Sequence, residues 1–240
     1  MITDMAETRR DMAAVFRWTS RLGLSEGICN HISLALDDTT FLVNPQGLHW
    51  SELRAGDLLV VDHDGIVLEG QGVVEPTALF IHARIHLGLP HARCVLHTHM
   101  PYATAITSIE GGRVIMANQN ALRFFNDIAY SDEYDGLALN ATEGDRICGE
   151  LGDKRVLFLA SHGVIVVGPS LAVGFDDLYY LERACQVQMI AQSTQMPLNI
   201  VDDQTAEKTR QQFRQSQLFA EDHLRAIRRI LDRECPDYAT

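Results

Sequence analysis

Near the start of the chain Met12, Val15 and Phe16, continued by Thr19, recur three and four residues apart, the spacing that lines one face of a helix. Gly23 follows where helices commonly stop. Beyond it the period falls to two: Ile32, Leu34 and Leu36 alternate with polar or small neighbours, Asp37 and Asp38 supply turn chemistry, and Phe41 and Val43 resume the alternation. That pattern predicts a β-hairpin. Leu58 to Asp62 and Ile66 to Glu69 flank Asp64-Gly65, a dipeptide suited to the positive φ angles of a tight turn, and predict a second one. Pro76 suits the first turn of a helix, where the N–H it lacks would have no partner, and apolar spacing runs on to Leu87 before Gly88 and Pro90. Glu75 therefore stands at the mouth of a helix.

A short apolar run, Cys94 to Leu96, leads as a strand into His97-Thr98-His99, and a further short helix is expected from Pro101. The stretch 118–130 has few apolar residues at its start and reads as a loop, the kind of segment that commonly lines sites. Thr142 is the expected N-cap of another helix. Arg155 to Ala160 reads as a buried strand ending before Ser161-His162-Gly163, and Val164 to Val167 as a strand that continues it. Ser170 can cap a long helix to about Gln195, and 205–231 has helical propensity with a mostly polar surface. A helix, then hairpins, then strands and helices mixed argue for an α/β or α+β layered domain with a largely antiparallel or mixed sheet.

No linker or low-complexity stretch divides the 240 residues, so one domain over 1–240 is expected. Hydrophobic residues at 46% and charged residues at 22% are globular values and exclude disorder. Twenty basic against 32 acidic side chains give a formal charge of -12, which repels phosphate backbones and anionic lipid surfaces, so neither nucleic acid nor a membrane is expected as partner. Without an apolar signal segment or membrane-spanning run, a cytoplasmic location is expected. Five scattered cysteines, never in a Cys-x-x-Cys arrangement, suggest reduced, mostly buried thiols rather than disulfides or a thiolate zinc site. Nucleotide binding has no motif support, since both the Gly-x-Gly-x-x-Gly and P-loop patterns are absent.

His97 and His99 are two apart at a strand end, so both imidazoles point to one face and can share an ion; two unrelated surface histidines would look the same. His162 also ends an apolar strand, and Gly163 after it lets backbone or ligand come close. Three nitrogen ligands with an open position are the arrangement in which a divalent ion polarises a substrate carbonyl. Glu75 is the candidate base, though an ordinary helix-start carboxylate fits its local sequence equally. His82 and His86, four apart on one helix, have no following Glu and are read as structural, while His31, His49, His63, His91 and His223 have no paired context.

The segment Ala92-Arg-Cys-Val-Leu-His-Thr-His-Met-Pro-Tyr-Ala-Thr-Ala resembles the His-Thr-His signature of the class II aldolase/adducin family. Leu157-Phe-Leu-Ala-Ser-His-Gly-Val-Ile-Val-Val-Gly resembles the segment bearing that family's third histidine. Cys29-Asn-His-Ile-Ser and Val43-Asn-Pro-Gln-Gly-Leu-His-Trp-Ser-Glu-Leu look like its upstream loops, closer to the adducin-like branch than to the sugar-phosphate aldolases. Similarity runs over about 8–195, which leaves a C-terminal helical extension at about 203–233.

The resemblance implies a three-layer α/β/α fold and one divalent metal per subunit held by His97, His99 and His162, with Glu75 as the acid/base that can also ligate the metal. Zinc is the first choice of ion, and manganese, iron or cobalt are compatible. It further implies a homotetramer with sites at subunit interfaces, and a carbon–carbon lyase of aldolase or decarboxylase type that acts on a small carbonyl substrate through a metal-stabilised enolate. An epimerase or dehydratase, or a non-catalytic adducin-like binding or scaffold protein, are the alternatives. Asn30, Gly47, Gln119 and Tyr134 are candidate substrate contacts. The sugar-phosphate members usually carry serines at the positions of Val73 and Val74 and a small hydroxyl residue at Gln46; with those donors gone, a phosphorylated substrate is not expected.

Overall fold

A computed structural model describes residues 4–134, 136–137, 139–215 and 217–240. Helix α1 (Met5–Arg21) starts at an Asp4 cap and buries Met12, Val15, Phe16 and Thr19, as the spacing predicts. The two hairpins follow as β1 (His31–Ala35) with β2 (Thr40–Val43), and β3 (Leu59–Asp62) with β4 (Val67–Glu69). Gly65, at φ +85°, makes the turn of the second. Next come α2 (Pro76–Gly88), β5 (Cys94–Thr98) and α3 (Pro101–Thr107).

The stretch expected to be a loop contains two elements instead, α4 (Gln119–Leu122) and β6 (Ile128–Ser131). Strand β6 is short, and its identity comes from parallel pairing with β7 (Val156–Leu159), a long-range interaction that local composition does not announce. Between them α5 (Ala141–Leu151) is capped by Asn140, whose side chain accepts from the Glu143 amide at 3.0 Å, and not by Thr142. The chain then forms β8 (Gly163–Gly168), the long α6 (Leu171–Ser193) capped by Ser170, α7 (Asp203–Gln215) and α8 (Gln217–Glu234).

Among the described residues eight strands form one mixed sheet in the order β4-β3-β2-β1-β5-β8-β7-β6, antiparallel except at β6–β7. Alternating residues separate its two faces. Ile32, Leu42, Leu96, Phe158, Val164 and Val166 pack with α1, α3, α6 and α8, while Val95, Leu157, Ile165 and Val167 pack with α2 and α5. The result is the expected three-layer α/β/α arrangement. The C-terminal segment is less polar than it reads: α8 buries Ala220, Leu224, Ile227 and Leu231 against the same core as α1, and Tyr238 is fully enclosed. Arg228 of α8 adds ion pairs to Glu7 (2.9 Å) and Asp11 (2.6 Å) on α1. Of the cysteines, Cys94 and Cys185 are buried, Cys148 and Cys235 half-buried and Cys29 exposed, and all are free. Among the described residues no helix is long and apolar enough to cross a membrane.

Candidate metal centre

Strand β5 lies at the middle of the sheet, between β1 and β8. His97 and His31 face each other across the β1–β5 ladder, and His97 pairs with Ile165 across the other side. His162 reaches the same place from the β7–β8 turn, where Ser161 takes the left-handed conformation at φ +54° and reverses the chain within three residues. Gly163 follows because nothing larger fits: a Cβ there would lie 2.6 Å from the Thr98 carbonyl oxygen and 2.7 Å from Cδ2 of His99. The three rings converge, with centroids 5.0 Å (His97–His99), 4.7 Å (His97–His162) and 4.8 Å (His99–His162) apart. Their candidate ligand atoms all lie within 4.8 Å of one another.

Hydrogen bonding decides which nitrogens face inward. The Val164 carbonyl can only accept, so Nδ1 of His97, 3.0 Å away, carries the proton. Nδ1 of His99 lies 2.7 Å from a Glu26 carboxylate oxygen and likewise donates. With each Nδ1 carrying a proton, neutral rings would set two bare Nε2 atoms 3.2 Å apart, lone pair against lone pair. A proton between them would make one ring an imidazolium, whereas a cation shared by both relieves the contact with both rings left neutral. A carbonyl on one ring and a carboxylate on the other are the outer partners that orient metal-binding imidazoles. Burial, with His162 adding to it, holds His97 well below the usual imidazole pKa, and burial lowers His162 to about 4, reinforced by His99 and opposed by Glu143. Both rings are therefore neutral ligands at pH 7. Three imidazole nitrogens are a donor set that fits a borderline divalent ion.

Glu75 is the N-cap of α2, its side chain 26% exposed. One carboxylate oxygen, Oε2, accepts from the Ala78 amide at 2.9 Å and, in a very short contact, from the Thr77 hydroxyl; Nε2 of His31 is 3.7 Å from the same oxygen. Glu75 stands outside the group formed by the three imidazoles. Asn30, which precedes His31, is buried; its Oδ1 accepts from the Glu26 amide at 2.7 Å, and its Nδ2 has no hydrogen-bond partner among the described residues. Gly47, at φ +87°, lies in an exposed turn beside Gln46, whose amide donates to the Val73 carbonyl. Tyr134, 52% exposed, places its ring 6.4 Å from that of His162. Gln119 begins α4 in a cleft shared with Leu122, Thr209 and Phe213 of this chain, on the side of the C-terminal helices.

Sequence reasoning missed Glu26, Thr77 and His31, and set His82 apart from the site. His31 stacks on His97, with ring centroids 5.0 Å apart, and its Nδ1 is 3.0 Å from Nε2 of the buried His82. The cue was present: His31 shares its alternation phase with Ser33, opposite Ile32, but only the β1–β5 register shows that His97 is its neighbour.

A family model described as the class II aldolase and adducin N-terminal domain matches residues 10–189. A Caulobacter vibrioides protein whose name assigns it provisionally to the class 2 aldolases is 33% identical over 190 residues, 78% of this chain and 73% of its own. Decarboxylase NovR of Streptomyces niveus is 31% identical over 192 residues, covering 78% of this chain and 71% of its own. Among solved structures, an aldolase II superfamily protein from Pseudomonas syringae superposes with a TM-score of 0.91 at 29% identity, covering 100% of this chain and 98% of the other.

Proposed function

From the membership of this chain in the class II aldolase and adducin family, we propose that it is a metal-dependent carbon–carbon lyase, of aldolase or decarboxylase type, acting on a small non-phosphorylated carbonyl compound. The observation that carries the reading is the convergence of the Nε2 atoms of His97 and His99 at 3.2 Å with His162 beside them, each outer Nδ1 of the pair facing an acceptor, an arrangement suited to a shared cation. His97, His99 and His162 are the residues that would hold it. A divalent ion in that position, zinc first, supplies Lewis-acid polarisation of a carbonyl whose oxygen gains charge as the adjacent carbon–carbon bond breaks.

The chain's own contribution is proton movement. Glu75 takes the proton from a substrate hydroxyl as the bond cleaves, the electron pair passes into an enolate, and the carboxylic acid then returns the proton to carbon. Its Oε2 is anchored by Ala78 and Thr77, so in this reading Oε1 is the oxygen that exchanges the proton. Val73, 60% exposed, and Val74 put methyl groups where phosphate would need donors, which favours an apolar or carboxylated substrate. Asn30, whose buried Nδ2 has no partner among the described residues, and Tyr134, whose ring lies 6.4 Å from that of His162, are the substrate contacts of this reading. Exposed Tyr134, Leu137 and Leu139 following β6 support a homo-oligomer that covers this rim.

The test is exchange of carbon-bound hydrogen for deuterium in D2O, followed by NMR over a panel of small 2-keto acids and hydroxyketones with zinc present. The enolate common to cleavage, decarboxylation and epimerisation predicts exchange with at least one of them, abolished by Glu75→Gln with the fold retained by circular dichroism. Zinc binding with no exchange anywhere in the panel supports instead the adducin-like binding protein; exchange undiminished in Glu75→Gln removes that residue from the reaction.

A further inference from the structure

Behind Glu75 the structure buries three more imidazoles and a hydroxyl in one line. Nδ1 of His86 lies 2.9 Å from the Ala92 carbonyl oxygen, and its Nε2 lies 2.7 Å from Oγ of Ser33. The same hydroxyl contacts Nδ1 of His82 at 2.5 Å, Nε2 of His82 is 3.0 Å from Nδ1 of His31, and Nε2 of His31 is 3.4 Å from the Thr77 hydroxyl, which touches Glu75. Ser33 and His31 share the face of β1 that α2 covers, and His82 and His86, four apart, lie one turn from each other on α2.

The chain can run in only one direction. A carbonyl never donates, so His86 is protonated at Nδ1 and, being neutral, accepts at Nε2. Ser33 then gives its one proton to His86 and must accept from His82 at Nδ1. His82, with its proton used there, accepts at Nε2 from Nδ1 of His31. Nothing remains on Nε2 of His31. Burial keeps the two rings on α2 neutral: it lowers His86 to about 4 and holds His82 far below the usual range.

We propose that Ser33, His82 and His86 are positioning residues for the carboxylate of Glu75: anchored on the Ala92 carbonyl, they fix His31 as the Nδ1–H tautomer, so that its bare Nε2 faces Thr77 and cannot donate to Glu75. The inference rests on the reading of Glu75 as the proton-transfer group. Its consequence is specific. With the opposite tautomer, His31 would place an N–H 3.7 Å from Oε2 and compete with Thr77 for it, tying the base down. With the tautomer imposed by Ser33, Thr77 alone arbitrates, donating to Glu75 when it is a carboxylate and to His31 when Glu75 is an acid that donates to Thr77. A free imidazole prefers the Nε2–H form, so three neighbouring Nδ1–H rings are a signature that simple packing would not produce.

Long-range proton–nitrogen NMR of 15N-histidine-labelled protein at neutral pH, with and without one equivalent of zinc chloride, reads the tautomers directly, with signals assigned through His31→Gln and His86→Gln. The expected result is the Nδ1–H pattern for His31, His82 and His86, unaltered by zinc. In Ser33→Ala, His86 should keep that pattern while His82 and His31 move toward Nε2–H. An Nε2–H pattern for any of the three in the unmodified protein overturns the proposal, as does an unmoved His31 in Ser33→Ala. Undiminished deuterium exchange by Glu75→Gln would defeat the proposed function and leave these spectra unchanged, so the two failures are separable.

Discussion

Gly163→Ala isolates how closely the two histidine-bearing segments are fitted, because it alters no ligand. The added Cβ would meet the Thr98 oxygen at 2.6 Å and Cδ2 of His99 at 2.7 Å, both well inside the ~3.5 Å at which carbon contacts become favourable. Roughly 0.8 Å must be found, either by parting β5 from β8 or by turning the His99 ring away from Glu26. Overpacking of this kind costs about 1–3 kcal/mol of stability. A displaced outer partner of a metal-bound imidazole costs about 10- to 100-fold in affinity, or roughly 1.4–2.7 kcal/mol. Urea unfolding with a chelator present measures the first effect, and competition against a zinc chelator the second. Gly149→Ala is the control: it lies at an exposed position of α5 with nothing within 4 Å of the new Cβ, and should gain about 0.5–1 kcal/mol with zinc affinity unchanged. Wild-type zinc affinity in Gly163→Ala would refute the claim that this glycine sets the position of His99.

Three further outcomes are expected. Because burial holds the folded-state pKa of His86 at about 4 against 6.5 in an open chain, stability is complete above pH 6.5 and is lost as pH falls toward 4; at pH 5 this residue alone costs about 2 kcal/mol, and urea midpoints that stay level from pH 7.5 to 5 would contradict its being buried neutral. Arg123 pairs with Asp176 at 2.5 Å and Asp177 at 2.6 Å, both carboxylates nearly inaccessible; Arg123→Met should cost about 3 kcal/mol in urea, since Arg155 and His223 retain one contact each. Zinc at 100 times its dissociation constant should stabilise the protein by about 2.7 kcal/mol and leave His97→Ala unaffected in a thermal-shift assay.

Much of the fold was legible because its signals are local. The period-two runs around Asp37-Asp38 and Asp64-Gly65 give the two hairpins, Pro76 marks the start of α2, and Ser170 that of α6. The features that escaped depend on distant partners. Strand β6 is defined by β7 lying alongside, and the apolar stripe of α8 shows only once α1 is opposite it. The same division holds at the site. Three histidines next to strand ends could be picked out from spacing and family resemblance, and the structure brings them together. Glu26 and His31, which govern the outer nitrogen of His99 and the surroundings of Glu75, sit on a loop and a neighbouring strand whose registers no local pattern encodes.

Zinc K-edge X-ray absorption of the protein loaded with one equivalent of the ion tests the centre most directly. Three imidazole nitrogens at about 2.0–2.1 Å, with the rest of the shell oxygen, is the result that His97, His99 and His162 require. A sulfur shell at about 2.3 Å, or fewer than three imidazoles, would place the ion elsewhere and contradict the account.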